Sequence, residues 1–212
     1  AAEDSSAKLQ RLKHFSRWSV PSEDVYPIPR SAADWLKHER ANTTRLWMVA
    51  GMFPNWGKHG HECVFPPEEK VDLAAAYPGW YQPVHWKRWH SQLRDNHLVD
   101  LQWAFSPVYQ YYPRFDWGTG YAYAEFSSDR RVEAKFALGV QDYAKVWLNG
   151  KLLHESQEHT PHTELKEHEF TGLLKQGKNA LLVKISKIPG EFRFRLNFES
   201  NTRDPLNLKW WK

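Results

Sequence analysis

The dipeptide Asn149-Gly150 separates two short runs, "AKVWL" and "KLLH". A tight two-residue turn needs positive φ at both central positions, and Asn-Gly supplies it, so a β-hairpin is predicted here. That turn commits both flanking runs to antiparallel strands. Neighbouring segments agree. In "RVEAKFALGV", Val132, Ala134, Phe136 and Leu138 alternate with polar Glu133 and Lys135. In "EFRFRLNFE", Phe192, Phe194, Leu196 and Phe198 alternate with Arg193, Arg195 and Asn197. A period of two sends one set to a core and the other to water. "RLWMVAGMF", "HLVDLQWAF", "GYAYAEFSS" and "NALLVKIS" read as further strands. Many short strands with turn signals between them predict an all-β antiparallel sandwich, or jelly roll.

The sandwich is expected over 45–200. Residues 1–44 read as an extension. "SSAKLQRLKHF" predicts a short amphipathic helix through Leu9, Leu12 and Phe15, and "VPSEDVYPIPR" an extended linker. "SAADWLKHER" predicts a second short helix capped by Ser31. Residues 201–212 read as a tail whose "KWWK" anchors on a partner or on the chain's own core. The section from Asn55 to His97 is loop-rich.

Composition removes some functions. The formal net charge is +4, with acids and bases interleaved, which argues against nucleic acid as a partner. No apolar run approaches the roughly 20 residues of a transmembrane segment. The single cysteine, Cys63, excludes an intrachain disulfide framework. "AAEDSS" resembles what cleavage after small residues leaves, and the expectation is an exported protein, extracellular or periplasmic. No G-x-S-x-G, P-loop, H-E-x-x-H or C-x-x-C-H motif is present, so the chain is not expected to be an enzyme.

Two stretches carry a family likeness. "ALGVQDYAKVWLNGKLLH" followed by "LLKQGKNALLVKISKIPGEFRFRLNF" resembles the galactose-binding-domain-like jelly roll, with its W-x-N-G-K hairpin and G-x-N-x-L-x-V-K strand. Upstream, "LWMVAGMFPNWGKHGHECVFPPEEKVDLAAAYPGWYQPVHW" is similar to the first strand and long loop of a subgroup. The resemblance spans about Leu46 to Phe198. It implies an accessory, carbohydrate-binding-module-like domain of a secreted bacterial protein. Two positions depart from the pattern. Met52 stands where the subgroup has proline, and Val140-Gln141 leave Asp142 as the acid before the hairpin.

Three sets of residues are candidates for chemistry. In "WGKHGHECVFPPEE", His59, His61 and Cys63 recur at every second position, the spacing a strand would need to aim three zinc or copper ligands one way. Gly57 and Gly60 favour a loop instead. "HESQEHTPHTELKEH" adds His154, His159, His162 and His168 without a compact ligand spacing, and reads as a solvated excursion between strands. Aromatic residues form the third set. The chain has 12 Trp, 11 Phe and 9 Tyr. A saccharide site needs flat rings for the sugar's C–H face and polar groups for its hydroxyls. Trp56, Trp80, Tyr81, Tyr109, Tyr111, Tyr112 and Trp117, with Arg114 and Asp116, supply both kinds. The same rings also suit burial, as do Trp86 and Trp89. The expectation is a non-catalytic carbohydrate-binding module. The alternatives are a structural subunit docking onto a larger assembly, or a metal-binding protein using the His-rich loops. No cofactor is expected beyond a structural calcium or zinc ion.

Overall fold

The computed structural model describes residues 43–79, 82–92, 97–105, 117–160, 165–200 and 208–210. The helices and linker read in the extension lie outside the described residues.

Thirteen strands account for most of the described chain. They are β1 (Thr43–Pro54), β2 (Ala76–Tyr77), β3 (Val84–His85), β4 (Lys87–Gln92), β5 (Leu98–Asp100), β6 (Gly118–Ser128) and β7 (Val132–Val140). The remainder are β8 (Tyr143–Leu148), β9 (Lys151–Ser156), β10 (Lys166–Leu174), β11 (Gly177–Ser186), β12 (Arg193–Ser200) and β13 (Leu208–Trp210). Two short helices, α1 (Pro66–Glu69) and α2 (Leu101–Phe105), lie among them. The larger sheet runs β4-β1-β6-β11-β8-β9, with β13 also beside β6. The smaller runs β10-β7-β12-β5, and β2-β3 form a two-strand ladder. All the pairings are antiparallel. This is the all-β sandwich that the alternations predict.

The core follows from that period of two. Ala122, Ala124 and Phe126 of β6 and Leu181, Val183 and Ile185 of β11 face Ala134, Phe136 and Leu138 of β7 and Phe194 and Leu196 of β12. Each fully buried Val, Leu, Ile or Phe side chain among them contributes about 1.5–3 kcal/mol. The Asn149-Gly150 hairpin forms as predicted, joining β8 to β9 with φ of 54° and 81°.

The larger sheet is buried on its other face as well. A second cluster places Tyr121 and Leu182 against Phe53, Tyr77, Val84 and Trp86, so the long β1–β2 connection and its sequel lie over the sheet. Trp86 donates its indole N–H to the Tyr77 hydroxyl at 3.3 Å. Trp89 packs against the main core.

Three segments differ from the sequence expectation. "HLVDLQWAF", expected as one strand, stops at Asp100 and turns into α2. The Asp100 carboxylate accepts the Trp103 N–H at 2.8 Å, and the Phe192 carbonyl accepts those of Leu101 and Gln102. "KRWHSQ", inside the loop-rich section, forms β4 on the rim of the larger sheet, paired to β1 from Val49↔Lys87 to Leu46↔His90. A rim strand needs no regular apolar face, so its sequence carries little alternation. Within the expected tail, Leu208–Trp210 pairs with β6. The Trp210 ring meets Trp47, Phe126 and Phe198 at centroid distances of 6.2, 5.2 and 5.8 Å, so it anchors on the chain's own core.

Candidate functional site

The strand registers bring the ends of seven strands to one pole of the sandwich. Pro54↔Gly118, Ser186↔Thr119 and Ser186↔Tyr143 align the larger sheet there. Phe194↔Val140 and Arg193↔Asp100 align the smaller. The chain passes between sheets at this pole through Gln141-Asp142 and through Lys187–Phe192. Gln141 ties these crossings together: its amide accepts the Glu191 N–H at 2.8 Å and donates to the Thr160 carbonyl at 2.9 Å. Asn55 does the same on the larger sheet, donating its backbone N–H to Trp117 O at 3.0 Å and its side-chain amide to Lys187 O at 2.8 Å.

Asp142 sits within this framework. Its side chain is wholly buried, and its Oδ1 shares a 2.7 Å hydrogen bond with His159 Nδ1. Burial pushes the carboxyl up to about 6, against the pull of His159, Lys187 and the Ile188 N–H.

The rings nominated from sequence divide. Trp56 is 62% exposed beside Asn55, and Trp117 is partly buried behind the same residue, so these two come to one pole. Trp80, Tyr81, Tyr109, Tyr111, Tyr112, Arg114 and Asp116 lie outside the described residues. A ring that sequence reasoning missed stands out instead: Trp103, at 71% exposure. It rims a cavity of about 380 Å³ bordered by Asp100, Gln102, Glu191 and Arg193. Glu191 and Arg193, two residues apart, form an ion pair. The signal available in the sequence was Asp100 three residues before Trp103, a helix-capping spacing that reading "HLVDLQWAF" as a strand concealed.

The loop "WGKHGHECVFPPEE" is not a strand. Trp56–Lys58 forms a single 3₁₀ turn and Gly57 takes a positive φ of 60°, so the alternate positions do not share a side. His59 and Cys63 are exposed, whereas His61 is buried. The expected trio of His59, His61 and Cys63 therefore does not converge. His61 meets Glu62 and Glu155 instead, with one ligand atom from each lying within 4.8 Å of the others. Of the second histidine set, His154 in β9 and His168 in β10 lie with ring centroids 5.1 Å apart and planes tilted by 45°, His159 holds Asp142, and His162 lies outside the described residues. His154 and His168 thus belong to strands, not to a solvated excursion.

Beneath that loop lies a buried cation. Lys184 Nζ donates to His61 O at 3.0 Å, Cys63 O at 2.6 Å and Glu68 Oε1 at 2.7 Å, which uses all three ammonium protons. The same Glu68 oxygen accepts the Tyr121 hydroxyl at 2.5 Å. Phe65 and Tyr121 present their rings to the ammonium at 5.4 and 5.8 Å. Burial pulls Lys184 below lysine's ordinary value and Glu68 opposes it, while burial and Glu68 push the Tyr121 phenol up. Glu68 is thus part of a structural clamp.

No helix among the described residues is long and apolar enough to cross a membrane. No protein-family model matches the chain, and no curated protein matches it. Solved structures similar to it include the β-glucosidase from Kluyveromyces marxianus in complex with glucose, at 16% identity and a TM-score of 0.36, covering 42% of this chain and 12% of that one. A selenomethionine-labelled crystal of the same enzyme gives 16% identity and a TM-score of 0.40 over 71% of this chain and 14% of that one. The GH31 α-xylosidase from Xanthomonas citri gives 15% identity and a TM-score of 0.44 over 80% and 17%. The chain thus spans less than a fifth of the length of each of these enzymes.

Proposed function

We propose that the chain is a carbohydrate-binding module of the galactose-binding-like jelly-roll type, exported and non-catalytic, which takes a saccharide at the loop pole. The sandwich over 45–200 is the binding domain in this reading, and 1–44 an N-terminal extension of it. One observation carries it: the exposed indole of Trp103 stands at the rim of a polar cavity bordered by Asp100, Gln102, Glu191 and Arg193. An indole face suits the C–H face of a pyranose, and carboxylate, amide and guanidinium groups suit its hydroxyls. Asp100 is fixed by its bond to the Trp103 N–H, and Glu191 by Arg193. Groups held in this way can orient a ligand's hydroxyls.

Affinity electrophoresis against soluble glucans, xylans, mannans and galactans tests the reading. The expected result is retardation by at least one polymer, lost in Trp103→Ala at an unchanged melting temperature. Equal mobility of the wild type in every gel, or unaltered retardation of the variant, overturns it.

A second reading, docking onto a larger assembly, draws support from one loop. Trp56, Val64 and Leu73 of the β1–β2 connection are all exposed, with Val64 at 65%. Exposed apolar side chains gathered on one loop suit a protein partner. Native mass spectrometry of material from its source separates the readings, since a lone monomer excludes docking.

A further inference from the structure

We infer that His61, Glu62 and Glu155 form a binding site for one divalent transition-metal ion, with zinc the best chemical match. The site unites the β1–β2 loop with strand β9 and is separate from the saccharide cavity.

The geometry begins with His61. Its side chain is 1% exposed, and its one hydrogen bond runs from Nε2 to Glu155 Oε1 at 3.0 Å. Among the described residues Nδ1 has no hydrogen-bond partner, and Nε2 is turned toward Glu155, where the two carboxylates meet. Tyr143 holds the imidazole edge-on at 5.4 Å between centroids. Zinc takes nitrogen and oxygen ligands at roughly 2.0–2.2 Å in a tetrahedral array, which sets neighbouring ligand atoms about 3.3–3.5 Å apart. The His61–Glu155 separation is close to that already. Ligation at Nε2 would leave the neutral imidazole's one ring proton on Nδ1, and the two solvent-facing carboxylates need only side-chain movement to close on the ion.

Supporting contacts hold the ligands. Gln157 Nε2 donates to Glu62 Oε1 at 2.7 Å, and Lys145 Nζ lies 3.3 Å from Glu155 Oε1. Such partners orient carboxylate ligands and temper their charge. The backbone flanking Glu62 is fixed from below, because Lys184 binds the carbonyls of His61 and Cys63. One imidazole with two carboxylates suits zinc better than calcium or copper(I).

Zinc chloride titrated into the full chain by isothermal calorimetry is the test. The expected result is one ion per chain, with Glu155→Gln and Glu62→Gln each weakening binding at least tenfold. Both positions are solvent-facing, so these variants keep the fold, which circular dichroism verifies. His59→Asn and Cys63→Ser leave affinity unchanged. Absence of binding up to about 1 mM zinc overturns the site, as does wild-type affinity in either glutamine variant. A tenfold loss in Cys63→Ser would transfer the ion to the cysteine and overturn it equally.

Discussion

Lys184 Nζ and Glu68 Oε1 lie 2.7 Å apart beneath the β1–β2 loop, joining positions 116 residues distant in the chain. The lysine is on the face of β11 opposite the core residues Val183 and Ile185, where a period of two would send it to water. The loop covers it instead, and its charge is met by a carboxylate, two carbonyls and two rings. Removing one member of a buried pair strands the other, at a cost of about 3–5 kcal/mol. Lys184→Met and Glu68→Gln are each expected to lower unfolding free energy by about that much in urea titrations. The double variant should cost less than the sum of the two by about 1–3 kcal/mol. Strict additivity would show that the contact is energetically idle.

Gly150 adopts a φ of 81°, with no atom of the described residues within 4 Å of where a Cβ would stand. A side chain there meets only the conformational penalty of the left-handed region. Gly150→Ala is expected to cost about 1–2 kcal/mol in the same titration, with the native circular dichroism spectrum retained. A neutral result would mean that the hairpin turn relaxes into another type.

Trp210 covers aromatic surface contributed by both sheets: Trp47 and Phe126 from the larger and Phe198 from the smaller. It is partly buried, so its truncation falls short of the fully buried range for aromatic residues. Trp210→Ala is expected to cost about 2–3 kcal/mol, read as a lowered thermal midpoint in calorimetry. An unchanged midpoint would place this ring outside the cooperative unit.

Asp142 gives stability a distinct pH dependence. An unfolded aspartate ionises near 3.9, whereas the buried carboxyl ionises at about 6. Between those values the native state keeps a proton that the unfolded state has lost, so this group's contribution to stability falls as pH rises and levels off above 6. His159, Lys187 and the Ile188 N–H face the carboxyl and favour its charged form, yet burial outweighs them. Asp142→Asn removes the titration. Relative to wild type, the variant should gain up to about 3 kcal/mol between pH 4 and pH 7. A difference that stays constant across that range would show that Asp142 is no worse ionised folded than unfolded.

The second half of the fold was legible because its strands are half-buried: Val132 to Leu138 and Phe192 to Phe198 follow the alternation that the sheet imposes. Lys184 shows where such reading ends. Its alternation is correct, but whether an outward face meets water or a covering loop depends on contacts more than a hundred residues away. α2 was hidden for a local reason, since "LVDLQWAF" is apolar enough for a strand and only Asp100's carboxylate, turned onto the Trp103 N–H, breaks it. The metal-ligand trio failed because successive hydrogen-bonded turns from His59 to Cys63 send alternate side chains apart, leaving His61 to meet Glu155, a residue 94 positions away. Short-range spacing reveals ligand sets only when the ligands share one regular element.

Along one side of β6, β1 pairs from Gly118 to Tyr123, and β13 takes over from Phe126 to Ser128. Without those three residues, the far half of β6 would offer unmatched amides and carbonyls flanked by an aromatic cluster. That is the kind of open border on which a second molecule can add its own strand. β13 is therefore a guard against self-assembly as much as a source of packing energy, and its loss would be felt first as concentration-dependent aggregation.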